Sequence, residues 1–342
     1  MHRFTRSRSR SQSTKINSSP SHSHEEPKLI PAKVNLSHEE RTASEPRATG
    51  LQRIILDEVT TVNDTIRTFR FVIPNPTGIN FLPGQWLDVY VPGIAKAGGF
   101  TITSSPRDAV PSYSDSASKL FLELAVQKSP NNPPAAWLWQ PVNSIRGKEL
   151  QVRVGGNFVW PPPGVNMGGI SRAVFIAGGV GINPLVSMLS VILKEDPSLD
   201  VCLMYSTKLP RIPSRSAKPS EVLFLPRILE LFGSAHARHG RRNYSRIELF
   251  FTSSGEGEMD DEEEYPNFDE ILESLGAPDL PVVISPNRMA ALDVSINVGT
   301  KDEQRKSVFY VCGPPDMTDE ITKFLGRQHD VDKARVLCEK WW

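Results

Sequence analysis

Only three cysteines occur in the 342 residues, Cys202, Cys312 and Cys338, and their spacing matches no metal-ligand set. That excludes a disulfide-stapled scaffold and an iron–sulfur centre, and with no secretory signal it fits a reducing compartment. Histidine is scarce too: seven in all, mostly in the N-terminal stretch or at His236 and His239, which read as a solvated loop. No metal site and no Ser/His/Asp arrangement is expected. Charge of one sign is missing, because 39 Lys+Arg balance 39 Asp+Glu, so the chain has no electrostatic footprint for nucleic acid. Long apolar runs are missing with one exception. From Arg172 to Lys194 there is no charge, but three glycines, an asparagine and a proline in its middle argue against a membrane span.

That exception organises the chain. Ala173 to Ala177 is apolar and long enough for one buried strand. Gly178, Gly179 and Gly181 let the backbone turn tightly and approach another group closely. Asn183 and Pro184 read as a helix start, and Leu185, Met188, Leu189 and Ile192 recur at helical spacing. A strand, a glycine turn and a helix N-terminus together make an anion site, since unpaired N–H groups point at a phosphate. The plainer alternative is a tight strand–helix junction with no ligand.

Residues 1–50 read as a disordered tail, rich in Ser, Arg, Pro and Glu and without a hydrophobic period. Its first 24 residues hold Arg3, Arg6, Arg8, Arg10 and Lys15 and no acid. This is the composition of a transit peptide, here for the mitochondrion, or of an arginine–serine tail. Over 51–160, alternating β-branched stretches separated by turn residues predict a small antiparallel barrel. Over 171–342, strand and helix patterns alternate, which predicts a doubly wound parallel α/β sheet. The stretch EVLFLPRILELF reads there as a helix interrupted near Pro226. An insert over 255–266 is strongly acidic, with seven acids between Glu256 and Glu264, and reads as a solvated loop. Tyr205, Ser206 and Lys208, at the end of the second strand of this unit, are candidates for an adenosine ribose or its 2′-phosphate. Cys202 reads as core.

The barrel-then-sheet order, with GGFTITSSP, NNPPAAW, GGVGINPL, VCGPPDM and CEKWW in sequence, resembles the ferredoxin–NADP reductase superfamily over Leu51 to Trp342. The resemblance implies a Greek-key flavin-binding barrel carrying FAD, followed by an NAD(P)H-binding α/β domain. It puts Phe100 in the place of a tyrosine packed on the isoalloxazine, Thr101 in the place of a hydroxyl near flavin N5, and Ser104 beside them. Two departures touch the flavin phosphates: the place of the phosphate-gripping arginine falls on Gly98, and Pro133 and Pro134, which have no N–H, occupy the helix start that holds the pyrophosphate.

The resemblance further implies nucleotide contacts at Gly178, Gly179, Gly181, Ile182, Asn183 and Pro184. Cys312, Gly313, Pro314 and Met317 match a Cys-Gly-Pro-x-x-Met pattern whose cysteine helps position the hydride donor; a buried structural cysteine is the alternative. Trp341 and Trp342 fall where related reductases carry an aromatic that stacks on the flavin; anchoring the chain end by burial is the alternative. Glu339, nearby, is a candidate for orienting the site or handling a proton. The function implied is a flavin-dependent NAD(P)H oxidoreductase with an unidentified electron acceptor and no integral membrane segment. The two departures keep a second reading open, a nucleotide-binding or interaction protein on a reductase scaffold.

Overall fold

The computed structural model describes residues 36–112, 119–209, 218–239, 245–252 and 268–340. The acidic insert, Trp341, Trp342 and the first 35 residues lie outside them.

The first sheet has six strands, β1 (Gln52–Asn63), β2 (Ile66–Val72), β3 (Trp86–Tyr90), β4 (Gly98–Thr101), β5 (Phe121–Gln127) and β6 (Glu149–Gly155). Their spatial order is β4-β3-β6-β1-β2-β5, antiparallel throughout. A bridge between Ile102, just after β4, and Leu124 of β5 joins the two edges and closes the sheet into a barrel. Successive side chains alternate in and out: Leu87 and Val89 enter the barrel core with Phe69, Phe71 and Val152, while Trp86 and Asp88 point outward. Both outward residues are nevertheless buried.

What covers them is the stretch expected to be the end of the tail. Residues 36–50, expected to belong to the tail, instead pack on the barrel wall. A short helix α1 (His38–Arg41) starts at Ser37 with a reciprocal cap from Glu40. Beyond it, Arg47 pairs with Gly155, and Ala48 N donates to Val154 O at 2.8 Å. Asp88 holds this strap: Arg47 Nε lies 2.9 Å, Arg153 2.7 Å and His38 Nε2 3.1 Å from its carboxylate. Burial alone raises the Asp88 pKa, but hydrogen bonds from His38, Arg47 and Arg153 outweigh it and hold the carboxyl well below the usual range.

Two short helices, α2 (Pro133–Leu138) and α3 (Val142–Ile145), complete the barrel. The second sheet has six strands, β7 (Arg172–Gly178), β8 (Asp200–Lys208), β9 (Arg246–Thr252), β10 (Val282–Ser285), β11 (Ser307–Cys312) and β12 (Val336–Glu339). They are parallel, in the order β10-β9-β8-β7-β11-β12. Helices α4 (Ile182–Glu195), α5 (Leu225–His239), α6 (Asp269–Ser274), α7 (Ala291–Val298), α8 (Lys301–Arg305) and α9 (Pro315–Leu325) connect them. Every residue of β7 and β11 is buried, as parallel strands covered on both faces require.

The charge-free run from 172 to 194 is thus a central strand followed by a helix. Leu185, Val186, Met188, Leu189 and Ile192 of α4 are all buried, at about 1.5–3 kcal/mol for each large apolar side chain removed from water. Among the described residues no helix is long and apolar enough to cross a membrane. Three other local readings change. The helix after Gly181 begins at Ile182, so Pro184 is its third residue. Pro226 sits in the first turn of α5 and interrupts nothing, because a proline there forfeits no helical bond. His236 and His239 lie on α5, not in a loop.

Barrel and sheet are joined by specific bonds. Asn183 Nδ2 donates to Ala125 O at 3.0 Å, and Ser187 Oγ to Ser104 O at 2.8 Å. Arg227 of α5 forms a two-pronged pair with Glu123 of β5, 2.8 Å on each prong. The Tyr310 hydroxyl donates to Val159 O at 2.8 Å, and its ring stacks on Phe175.

Candidate functional site

The strand order reverses between β7 and β11, and open α/β sheets bind ligands at such a point, outside the carboxyl ends of the strands. Here β7 ends at Gly178 and passes into a single helical turn, Gly179–Gly181, before α4. Gly179 has φ +54° and open space beside it, which only glycine adopts without strain. The N–H groups of this turn have no intrahelical partner. Next to it, β11 ends at Cys312, and Gly313 and Pro314 lead into α9. The two loops interlock: a Cβ on Gly178 would stand 2.6 Å from Pro314 Cδ and 2.8 Å from Met317 Sδ.

A cleft of about 750 Å³ opens over both loops, within the range of small-molecule sites. Its sheet side is formed by Gly178–Gly181, Ser206–Lys208, Thr252, Arg288 and Gly313–Pro315 with Met317. Its barrel side is formed by Asn63, Thr65 and Ile66 at the β1–β2 turn and by Gln127 at the end of β5. Gly178, Gly179, Gly181, Gly313, Pro314 and Met317 of the expected contacts therefore converge. Three others turn elsewhere. Ile182 and Pro184 are buried in the α4 packing, and the Asn183 amide is spent on Ala125. Tyr205 is corrected as a ribose candidate: it is fully buried, its hydroxyl bonded to Leu223 O, while Ser206 and Lys208 reach the cleft. Arg288, Thr252 and the barrel wall were missed by the sequence reading. The PNR turn after the β-branched VVIS was the available signal for Arg288.

Cys312 and Glu339 are register partners at the ends of β11 and β12. Cys312 is buried. Glu339 Oε2 is inaccessible to water and has no hydrogen-bond partner among the described residues. Burial, and then the nearby Glu45 carboxylate of the strap, push the Glu339 pKa well above the ordinary value. Thr101, at the end of β4, is buried and makes no side-chain hydrogen bond among the described residues. Trp342 lies outside the described residues.

The flavin expected on the barrel meets an altered cradle. Phe100 is 8% exposed and belongs to the barrel core, opposite Leu87. A Cβ on Gly98 would stand 2.6 Å from its ring and 2.7 Å from Pro134 Cβ, so no longer side chain fits where the family's arginine stands. The start of α2 offers an anion nothing. Pro133 and Pro134 have no N–H, Ala135 N donates to Asn132 Oδ1, and Ala136 N donates to Asn132 O. Ser104 Oγ accepts from Glu123 N. These residues do not fit a flavin gripped by its phosphates in the expected manner.

A closed antiparallel barrel followed by a parallel sheet with a glycine-lined cleft at the switch point is the ferredoxin-reductase-like fold. No family model matches the chain. It is 30% identical over 306 residues to oxidoreductase NAD-binding domain-containing protein 1 of Xenopus laevis, covering 89% of this chain and 84% of that protein. The human protein of the same name is 28% identical over 329 residues, covering 92% and 87%. The chain belongs to the family of oxidoreductase NAD-binding domain-containing protein 1. Among solved structures, a cytochrome P450 reductase from Amycolatopsis shares the fold with a TM-score of 0.58 at 19% identity, over 86% of this chain and 71% of that one. The FAD/NAD-binding domain of a Vibrio cholerae nitric oxide dioxygenase gives 0.54 at 16%, over 84% and 97%.

Proposed function

We propose that this protein is an NAD(P)H-dependent oxidoreductase whose hydride acceptor is exchangeable. The observation that carries the reading is the meeting of the glycine turn and the Gly313–Pro314 loop in one cleft, with the Cys312–Glu339 pair behind it. The free amides of the turn suit the pyrophosphate. The nicotinamide lies toward Gly313 and Pro314, where Cys312 fixes the wall behind it. Hydride leaves the nicotinamide as one proton with an electron pair, so the acceptor takes two electrons. Glu339, beside Cys312 at the neighbouring strand end and holding its proton to a higher pH than an ordinary carboxyl, is the residue we assign to donate a proton to the reduced acceptor. The family's relatives, named for NAD binding, and the solved reductases support the oxidoreductase kind.

The altered flavin cradle supports an acceptor that is not held permanently. The arginine-rich, acid-free first 24 residues support a mitochondrial address. The test is NADPH or NADH oxidation by the full chain with added FAD, FMN or a soluble quinone. Turnover that depends on the added acceptor is expected. A protein that retains stoichiometric flavin through purification contradicts the exchangeable acceptor and leaves the oxidoreductase standing. Nucleotide binding without turnover on any acceptor favours the second reading, a nucleotide-binding protein on a reductase scaffold, for which the closed start of α2 is the specific observation.

A further inference from the structure

We infer that the cleft selects the 2′-phosphorylated nucleotide, NADPH over NADH, and that Lys208 and Arg288 make the selection. This rests on the reading of the cleft as a nicotinamide-nucleotide site. With the nicotinamide toward Gly313 on the β11 side of the glycine turn, the adenosine half runs the other way, across the ends of β8, β9 and β10. Lys208 ends β8 as the register partner of Thr252, which ends β9. Arg288 follows the end of β10 by three residues, and all three line the cleft. Strands that are distant in sequence thus place two cations and a hydroxyl along one edge.

Both cations are exposed, and neither has an ion-pair or hydrogen-bond partner among the described residues. Three half-buried arginines of the fold are instead committed to carboxylates: Arg227 to Glu123, and Arg47 and Arg153 to Asp88. A nucleotide without the phosphate needs an acceptor for its ribose 2′-hydroxyl, commonly Asp or Glu. No acidic side chain lines this cleft among the described residues. A 2′-phosphate instead offers close to two negative charges and three acceptor oxygens. The Arg288 fork is shaped to grip two of those oxygens, and Lys208 adds a point charge.

The test is isothermal titration of the full chain with NADPH and NADH, and with 2′,5′-ADP and 5′-AMP as adenosine-side probes. NADPH is expected to bind roughly ten- to hundredfold more tightly than NADH, since one charge-assisted contact is worth about that factor. The same preference is expected for 2′,5′-ADP over 5′-AMP, and it weakens as salt rises. In Lys208→Gln and Arg288→Gln the NADPH-to-NADH affinity ratio falls toward one. Equal or tighter binding of NADH, or an unchanged ratio in both variants, overturns the selection alone. Binding of neither nucleotide overturns the selection together with the nucleotide-site reading beneath it.

Discussion

Gly178 and Pro314 lie so close that a Cβ on the glycine would stand 2.6 Å from the proline Cδ. The end of β7 and the loop after β11 are therefore one mechanical unit, and any side chain at 178 has to push the loop and Met317 aside. Gly178→Ala is expected to cost about 1–3 kcal/mol, as overpacking usually does. It should also weaken nucleotide binding, because the same displacement opens the turn. Chemical denaturation and NADPH titration of the variant check the two effects.

The strap over the barrel hangs on Asp88. Asp88→Asn leaves Arg47 and Arg153 facing an uncharged partner, at a cost of about 3 kcal/mol, the low end for a broken buried pair, because both arginines keep some contact with water. The native carboxyl is held below its ordinary value near 3.8. Its contribution is fully present above that value and is lost as pH falls through it and below. Urea unfolding from pH 7 down to pH 3 should show a stability gap between wild type and variant that is constant at neutral pH and begins to narrow below the ordinary value near 3.8. Proteolysis should release the strap first in the variant.

Glu339 has the opposite sign. Its folded pKa is raised, so above the ordinary value near 4.5 the folded protein keeps a proton that the unfolded chain has released. Stability therefore falls as pH rises through that window. Glu339→Gln removes the titration and should flatten the pH dependence, with a thermal midpoint above wild type at neutral pH. Oxidation of NADPH by the variant should be slower, which separates a proton-handling role from a purely structural one.

Restoring the family's arginine should not restore a flavin grip. Gly98→Arg drives its Cβ to within 2.6–2.7 Å of Phe100 and Pro134. The expected result is a loss of about 1–3 kcal/mol with no gain in flavin affinity, read by thermal unfolding and by absorbance after dialysis against FAD.

The barrel-then-sheet order and the glycine turn were legible because their signals are local. A five-residue apolar strand, three glycines and a helical period lie within one stretch of chain. Cys312 beside Glu339 was not legible as a pair, since parallel register is fixed by contacts between distant strands. The strap was misread because what docks it is polar: His38 and Arg47 have the composition of a tail until Asp88 collects them. Tyr205 was misassigned because β8 is covered on both faces, so a strand-end residue there turns inward. Arg288 escaped notice because β10 is four residues long and only half-buried.

The central claim is that a nicotinamide nucleotide lies across the loops at the switch point. Hydrogen–deuterium exchange of the full chain, with and without saturating NADPH, tests it most directly. Slowed exchange is expected over 178–182, 206–208 and 313–317, with the outer barrel wall unchanged. Protection confined to other regions, or none at saturation, contradicts the account.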